Sequence, residues 1–572
     1  SDEETDSQRS NECLAVIEKT PVETPTATTP TLEDLIEDGR ELMKMFINDA
    51  MSDVYPRLMA KQHTSLIHAL GVGALRFFEA LLTLDKSKLD EALQALRHSA
   101  DFADGFRKKS YTSFLFGSNY DQYTDEECFA ELCYAKSLLL AGLVSVLVDQ
   151  TVYSFINAAL NIRSAYQSYK ECVNILKFKG KWESSAIRMH FESGTRLGVG
   201  GFDLTISFFP SKLAKLLEFV GFNGDRNVAL DELSQSAALV DGLLYDISSI
   251  ALSAYHGFIE YFYGLGEGDV TFFDMSSKTW LSRTPDSSIV KLGLGLREQI
   301  TGNPDNAINY YLQCVDGQKH WVQLHNACYW KITWCHALKC DWENAAKYAK
   351  LLKDDCKWSP AMFSYLYAIF QYMVMSEHKR YELKDEIADT LYKLPSLKRR
   401  LGGKRAFHEK LVIERSKKFH NQLENFILPP FEVMYIWNFF NMMNGNEQLI
   451  NPFLERVEQK LKEHKSDKDE KKRNLDTYCN LVFMKSVLLK QLDSLHDALD
   501  GFNEVLNCKK RIHDETHLLP QSSYEIGLIY RKMGKLTEAK KWLKKARDDY
   551  SGYLTETMIH FRVQTALDSL KS

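Results

Sequence analysis

The sequence predicts an all-α fold: a tetratricopeptide-type helical-repeat solenoid, wound as a right-handed superhelix behind a disordered N-terminal tail. Three observations predict it. The stretch 523–550, SYEIGLIYRKMGKLTEAKKWLKKARDDY, reads as two short antiparallel helices with a turn at Gly534. Small residues fall where two helix backbones would approach (Gly527, Ala539, Ala546), and large ones beside them (Tyr530, Leu543). This is the spacing of the repeat of about 34 residues that forms a helix–turn–helix unit. Looser copies of the pattern recur upstream. Finally, 572 residues contain only 13 prolines and 29 glycines, which suits long helices with few breaks. Such a unit cannot bury its apolar face alone, so it implies stacked neighbours.

Taken in order, residues 1–30 are rich in Glu, Thr, Ser and Pro. They offer too little apolar surface to offset ordering and read as a disordered tail. Thr31 followed by Glu33 and Asp34 is a helix start. A helical pair over 63–106 reads as a degenerate repeat. The apolar run SLLLAGLVSVLV, 137–148, falls short of the about 20 residues that span a bilayer, so a buried core helix is expected. The stretch 193–233 is the most distinctive, with glycines at 194, 198, 200 and 201 and a turn at Asn223-Gly224. Asp225 there is placed to cap the next helix. Residues 31–288 thus form an N-terminal helical region, and 289–572 the repeat region. Two repeats occupy 289–360, centred on Gly295, Ala307 and Tyr311, and then on Ala345. Another carries Ala498. Pro429-Pro430 breaks the chain before a further helix. Residues 555–570 read as an amphipathic helix capping the stack.

Composition narrows the function. A formal net charge of −6 argues against a nucleic-acid partner. Eleven scattered cysteines without a CxxC pair argue against a disulfide framework or structural zinc. They suit a reducing compartment, hence a cytoplasmic location, with a nuclear or membrane-peripheral pool allowed. The opening 1–20 is acidic and polar, unlike a secretory leader. No phosphate loop, HExxH or GxSxG motif is present, so neither catalytic residues, metal nor cofactor is expected. The glycines of 194–201 lack the Lys-Ser/Thr that would hold phosphate.

Three features carry a functional reading beside a structural one. Lys212, Lys215, Asp225 and Arg226 form the candidate partner-binding set, able to edge a pocket for an anionic group. The structural reading, which we favour, makes them solvated or locally paired. The basic run Lys398–Arg405 is either a solvated loop or a contact for an acidic partner or membrane. Trp330, Trp334, Trp342 and Trp358 suit an interface, and suit a repeat core better.

The segment SGTRLGVGGFDLTISFFPSKLAKLLEFVGFNGDR resembles the signature stretch of the tetratricopeptide repeat protein 39 family, related to fungal inclusion-body-clearance proteins. LMKMFINDAMSDVYPRLM, IHALGVGALRFFEALLTLD, LPSLKRRLGGKRAFHEKLVIERS and PPFEVMYIWNFF resemble the same family. The resemblance implies a non-enzymatic scaffold associated with lipid homeostasis or protein turnover. The expected function is an adaptor whose concave face binds a peptide or helix of another protein, with peripheral membrane or lipid-droplet association allowed. The alternative is a lipid or small-molecule carrier with an apolar cavity near 193–233, lined by Phe208, Phe209, Phe219 and Phe222.

Overall fold

The structure is a computed structural model that describes residues 29–108, 119–148, 152–207, 224–397, 407–466 and 474–571, with backbone alone for 152–156 and 407. The acidic tail over 1–28, the basic run 398–405, Lys212, Lys215 and the four phenylalanines of the expected carrier cavity lie outside those residues. Among the described residues every regular element is helical.

The first helices follow local rules. α1 (Leu32–Ile47) begins in a reciprocal cap: the Asp34 amide donates to Thr31 Oγ1 at 3.2 Å, and the Thr31 amide to Asp34 Oδ2 at 2.9 Å. α2 (Met51–Lys61), α3 (Leu66–Thr83) and α4 (Lys86–Asp104) follow as antiparallel neighbours. α5 (Asp125–Val148), α6 (Val152–Phe178) and α7 (Ser185–Ser207) then form a second layer. By length and composition α3 and α5 could each cross a membrane. Here both are packed: α3 buries Val72 and Phe77, and α5 buries Phe129, Leu132 and Leu139. The run 137–148 is therefore a core helix, as its length predicts.

The glycine-rich stretch is the interior of α7. Its glycines sit where neighbours touch the backbone. A Cβ on Gly198 would lie 2.2 Å from Cε1 of Tyr169 on α6. A Cβ on Gly200 would lie 2.7 Å from the Ala229 carbonyl oxygen on α8 (Arg226–Ala238). The second contact is with backbone and cannot be relieved by a side-chain rotation. Gly200→Ala is expected to cost about 1–2 kcal/mol through forced separation of α7 and α8, read as a lower urea midpoint.

α9 (Tyr245–Ala254) passes into a π-helical turn (Tyr255–Ile259) and a short α10 (Glu260–Tyr263). α11 (Val270–Arg283) leads into the repeats. These pair α12 (Ser288–Ile300) with α13 (Pro304–Gly317), and α14 (Leu324–Leu338) with α15 (Trp342–Asp355). Gly295 meets the Tyr311 ring, where a Cβ would come within 2.4 Å, and Tyr311 donates to Gln299 Oε1 at 2.8 Å. Ala307 and Ala345 are fully buried at the two pair contacts.

α16 (Pro360–His378), α17 (Lys384–Lys393), α18 (Phe407–Phe419), α19 (Pro429–Ile436) and α20 (Glu447–Ser466) continue the stack. The last units pair α21 (Leu475–Gln491) with α22 (Leu495–Asn507), and α23 (Leu518–Lys532) with α24 (Leu536–Asp548). Ala498 is buried on α22, and Gly527 meets Leu543, where a Cβ would come within 2.8 Å. Ala539 and Ala546 are buried on α24, and Tyr530 is partly buried. Gly534 ends α23 at φ +73°. α25 (Glu556–Ser569) packs onto α23 and α24 as the terminal helix.

The repeats do not enclose an empty groove throughout. The segment 429–446 runs between them, and Trp437 is fully buried against Phe262, Trp330 and Trp334, with ring centroids 5.0, 5.4 and 5.5 Å away. Trp330, Trp334 and Trp342 thus belong to one core cluster, while Trp358 is partly buried at its edge.

Candidate functional site

The N-terminal region meets the C-terminal repeats at the elbow 255–268. Tyr261, Phe262 and Leu265 drive it, since all three are buried in the core shared with the repeats. Side-chain amides and one arginine hold its carbonyls. Asn438 donates to the Tyr261 and Gly264 oxygens at 3.0 Å each, and Asn441 to the Leu265 oxygen at 2.9 Å. Arg562 of α25, fully buried, donates to the oxygens of Phe262 and Ile436. Arg531 pairs with Glu267 at 2.6 Å. Beneath the elbow, Lys331 of α14 is buried and donates to the Gly257 oxygen of the π turn at 2.9 Å. Burial pushes its ammonium down to about 7.

Two of the sequence-derived candidates sit at this junction. Asp225 is the N-cap of α8, its Oδ1 accepting from the Asn227 amide at 2.8 Å and the Val228 amide at 3.4 Å. The Arg226 guanidinium lies 5.3 Å from the Phe561 ring of α25, and its charge acts on Tyr255 and on the buried Glu260. Arg226 is thus turned toward the terminal helix and the elbow.

Across α9 from the 193–233 segment lies a cavity of about 100 Å³. α9 presents Ser248 to the segment side, where Ser236 Oγ lies 2.6 Å from Ser248 Oγ and donates to the Ser193 oxygen at 2.9 Å. Its other face lines the cavity with Ile250 and Ala254. Opposite stand Trp280 on α11, Leu292 and Leu296 on α12, and Ile47 at the end of α1. No described residue of 193–233 lines it. Asp246 and Arg283 stand at its edge, 3.5 Å apart. Burial raises the Asp246 carboxyl and the Arg283 charge opposes that rise. The cavity therefore joins an apolar floor to an ion-paired rim, at the seam of the N-terminal region and the first repeat.

A second cluster has the residue types of a metal site. Glu432, Glu515 and His517 place ligand atoms within 4.8 Å of one another. The position already holds a cation. Arg415 on α18 donates Nε to Glu432 at 3.0 and 3.1 Å, and its Nη atoms to Glu515 at 3.0 and 2.7 Å. Lys418 adds a bond to Glu515 at 3.0 Å. Burial favours the neutral acid, but the Arg415, His517 and Lys418 charges outweigh it and hold Glu515 far below the carboxylate range. The same burial depresses His517. This is a structural ion-pair lock between α18, α19 and the start of α23.

The comparisons with known proteins agree with this architecture. Residues 40–492 match the Iml2/Tetratricopeptide repeat protein 39 family, and residues 520–546 match the tetratricopeptide repeat itself. The chain belongs to the Iml2/tetratricopeptide repeat protein 39 family. It is similar to the tetratricopeptide repeat protein ttc-39B of Caenorhabditis elegans, with 29% identity over 546 residues, 94% of this chain and 93% of that relative. Among solved structures, the APC/C hetero-tetramer Cut9-Hcn1 aligns over 93% of this chain and 96% of the matched one, at 11% identity and a TM-score of 0.23, too low to carry an argument.

Proposed function

We propose that this helical-repeat scaffold is a non-enzymatic, protein-binding adaptor that captures one aliphatic side chain of a partner in the cavity beside α9. The observation that carries the reading is the size and make-up of that cavity. An engineered apolar cavity of about 150 Å³ holds benzene, so about 100 Å³ suits a group the size of a leucine side chain. The Asp246–Arg283 rim supplies orientation for polar atoms flanking such an anchor. Interface energy concentrates in a few anchors that fill pockets of this kind. The segment 429–446 occupies part of the space inside the stack, which favours this seam over the whole concave face as the docking point. The proposal includes a reducing, cytoplasmic setting, supported by ten free thiols among the described residues, nine of them buried. A role in lipid homeostasis or protein turnover rests on family membership alone.

The test fills the cavity mouth. Ala254 is exposed and lines the cavity, so Ala254→Trp blocks entry without touching the core. Proximity labelling in cells compares the variant with wild type, after thermal melts establish equal folding. A defined set of proteins should vanish from the variant, and a purified member of the set should bind at least about tenfold more weakly. An unchanged set sinks the proposal.

A further inference from the structure

The outer face of the last repeat carries a concentrated positive charge. From Arg531 to Arg547 inclusive there are eight basic residues and one acidic one, in a chain whose net charge is −6. The helix α24 sorts them. Ala539, Leu543 and Ala546 face inward, fully buried. Lys540, Lys541, Lys544 and Lys545 therefore fall in two adjacent rows on the opposite side. The first three are exposed, and Lys545 lies over the partly buried Trp542 ring at 4.4 Å. Lys541 reaches Glu538 only at 4.0 Å, and Lys540, Lys544 and Lys545 make no ion pair among the described residues. The patch extends sideways. Lys509 lies 5.0 Å from the Tyr550 ring, which brings the exposed Lys509-Lys510-Arg511 run beside the end of α24. Leu536, at the start of the helix, is 52% exposed.

We infer that this face docks on an anionic lipid surface. The choice of occupant follows from the kind of cation and the shape that bears it. The four cations of the ridge are lysines, strongly hydrated point charges on flexible stems that lack the fork with which arginine grips a single carboxylate. Lysine is depleted from protein–protein interfaces, where ordered contacts reward rigid, weakly hydrated groups. The rows lie on the solvent side of a single helix, opposite its buried Ala539, Leu543 and Ala546. A leaflet of anionic headgroups needs no such ordered contacts. It attracts each nearby lysine, the exposed Leu536 edge can enter the headgroup layer, and long stems let the ammonium groups adjust. The α24 face lies on the last repeat, away from the cavity beside α9, so docking does not depend on that site.

The test is co-sedimentation of the full chain with vesicles of phosphatidylcholine alone and of phosphatidylcholine rich in phosphatidylserine. The first variant carries Lys540→Gln, Lys541→Gln, Lys544→Gln and Lys545→Gln. The second makes the same charge change elsewhere, as Lys86→Gln, Lys278→Gln, Lys319→Gln and Lys462→Gln. Wild type should bind the anionic vesicles alone, and less at high salt. The first variant should lose roughly 1,000-fold in partitioning, and the second little. The inference is overturned by equal binding to both vesicle types, by no binding to either, or by equal losses in the two variants. Retention on polyglutamate without vesicle binding also overturns it, and assigns the face to an acidic polypeptide instead.

Discussion

Arg415→Met will destabilise the fold by about 3–5 kcal/mol, read as a shift of the urea midpoint at neutral pH. The side chain is buried, and its five donors face two carboxylates from different parts of the chain: Glu432, 17 positions on, and Glu515, 100 positions on. Removing the guanidinium leaves Glu432 and Glu515 close together, with the half-exposed Lys418 still paired to Glu515 and a buried His517 whose own basicity burial has lowered. Two like charges in a poorly hydrated site cannot both remain ionised without a large cost. The loss therefore comes mainly from the orphaned acids and only secondarily from the pair itself. A triple variant, Arg415→Met with Glu432→Leu and Glu515→Leu, should recover most of the loss, because well-packed apolar groups of similar volume replace a buried ionic network at little cost. If the triple variant is no more stable than Arg415→Met, the account in terms of orphaned charge is wrong.

The pH dependence of this lock follows from Glu515, whose folded carboxyl is held far below its ordinary range. Its stabilising contribution is complete above that ordinary range and is lost as pH falls below it, when the unfolded chain takes up a proton that the folded chain refuses. Wild type should lose stability on acidification, and the triple variant should show a shallower decline.

The terminal repeat was legible because its signal is local. Gly527, Gly534, Ala539, Leu543 and Ala546 lie within 20 positions, and each follows from the contact of one helix with the next. Thr31 and Asp225 were legible as caps for the same reason, since a cap bonds to amides two or three residues on. The glycines of 194–201 misdirect a local reading. Glycine is a poor helix former, yet here tertiary contacts with Tyr169 and the Ala229 carbonyl demand it inside α7, and packing overrides propensity. The elbow and the ion-pair lock could not be read at all. In the run FHEKLVIERSKKF nothing separates Arg415 from its solvated neighbours, because its partners are fixed only by the folded path of the chain. The cavity beside α9 draws on residues near 47, 250, 280 and 292, which no spacing rule connects. The candidate set behaved likewise: in sequence Arg226 reads as solvated or locally paired, whereas the structure sets it 5.3 Å from the Phe561 ring, more than 300 positions away.

Lys331→Met should stabilise the protein at pH 6 by an amount on the order of 3 kcal/mol, and the gain should shrink toward alkaline pH. Lys331 is buried beneath the elbow, and burial depresses its ammonium from the ordinary 10.5 to about 7. Below pH 7 both folded and unfolded chains carry the proton, and the folded chain bears the whole cost of a charge out of water. Between 7 and 10.5 the unfolded chain still holds the proton and the folded chain does not, so stability rises with pH across that window. Above it neither state is protonated and the cost is gone. The methionine variant should be flat through the window where wild type climbs. Lys136 in α5, also buried and pushed down to about 8, should give the same pattern over a narrower range. Its effect is smaller because its depression is smaller. Against the gain stands the bond from Lys331 to the Gly257 oxygen, which the variant loses and which belongs to the π turn of the elbow. If that bond dominates, Lys331→Met will be less stable than wild type at every pH and the π turn will open, seen as faster amide exchange over 255–263. A neutral amine kept for one carbonyl would then be the clasp that joins the N-terminal region to the repeats.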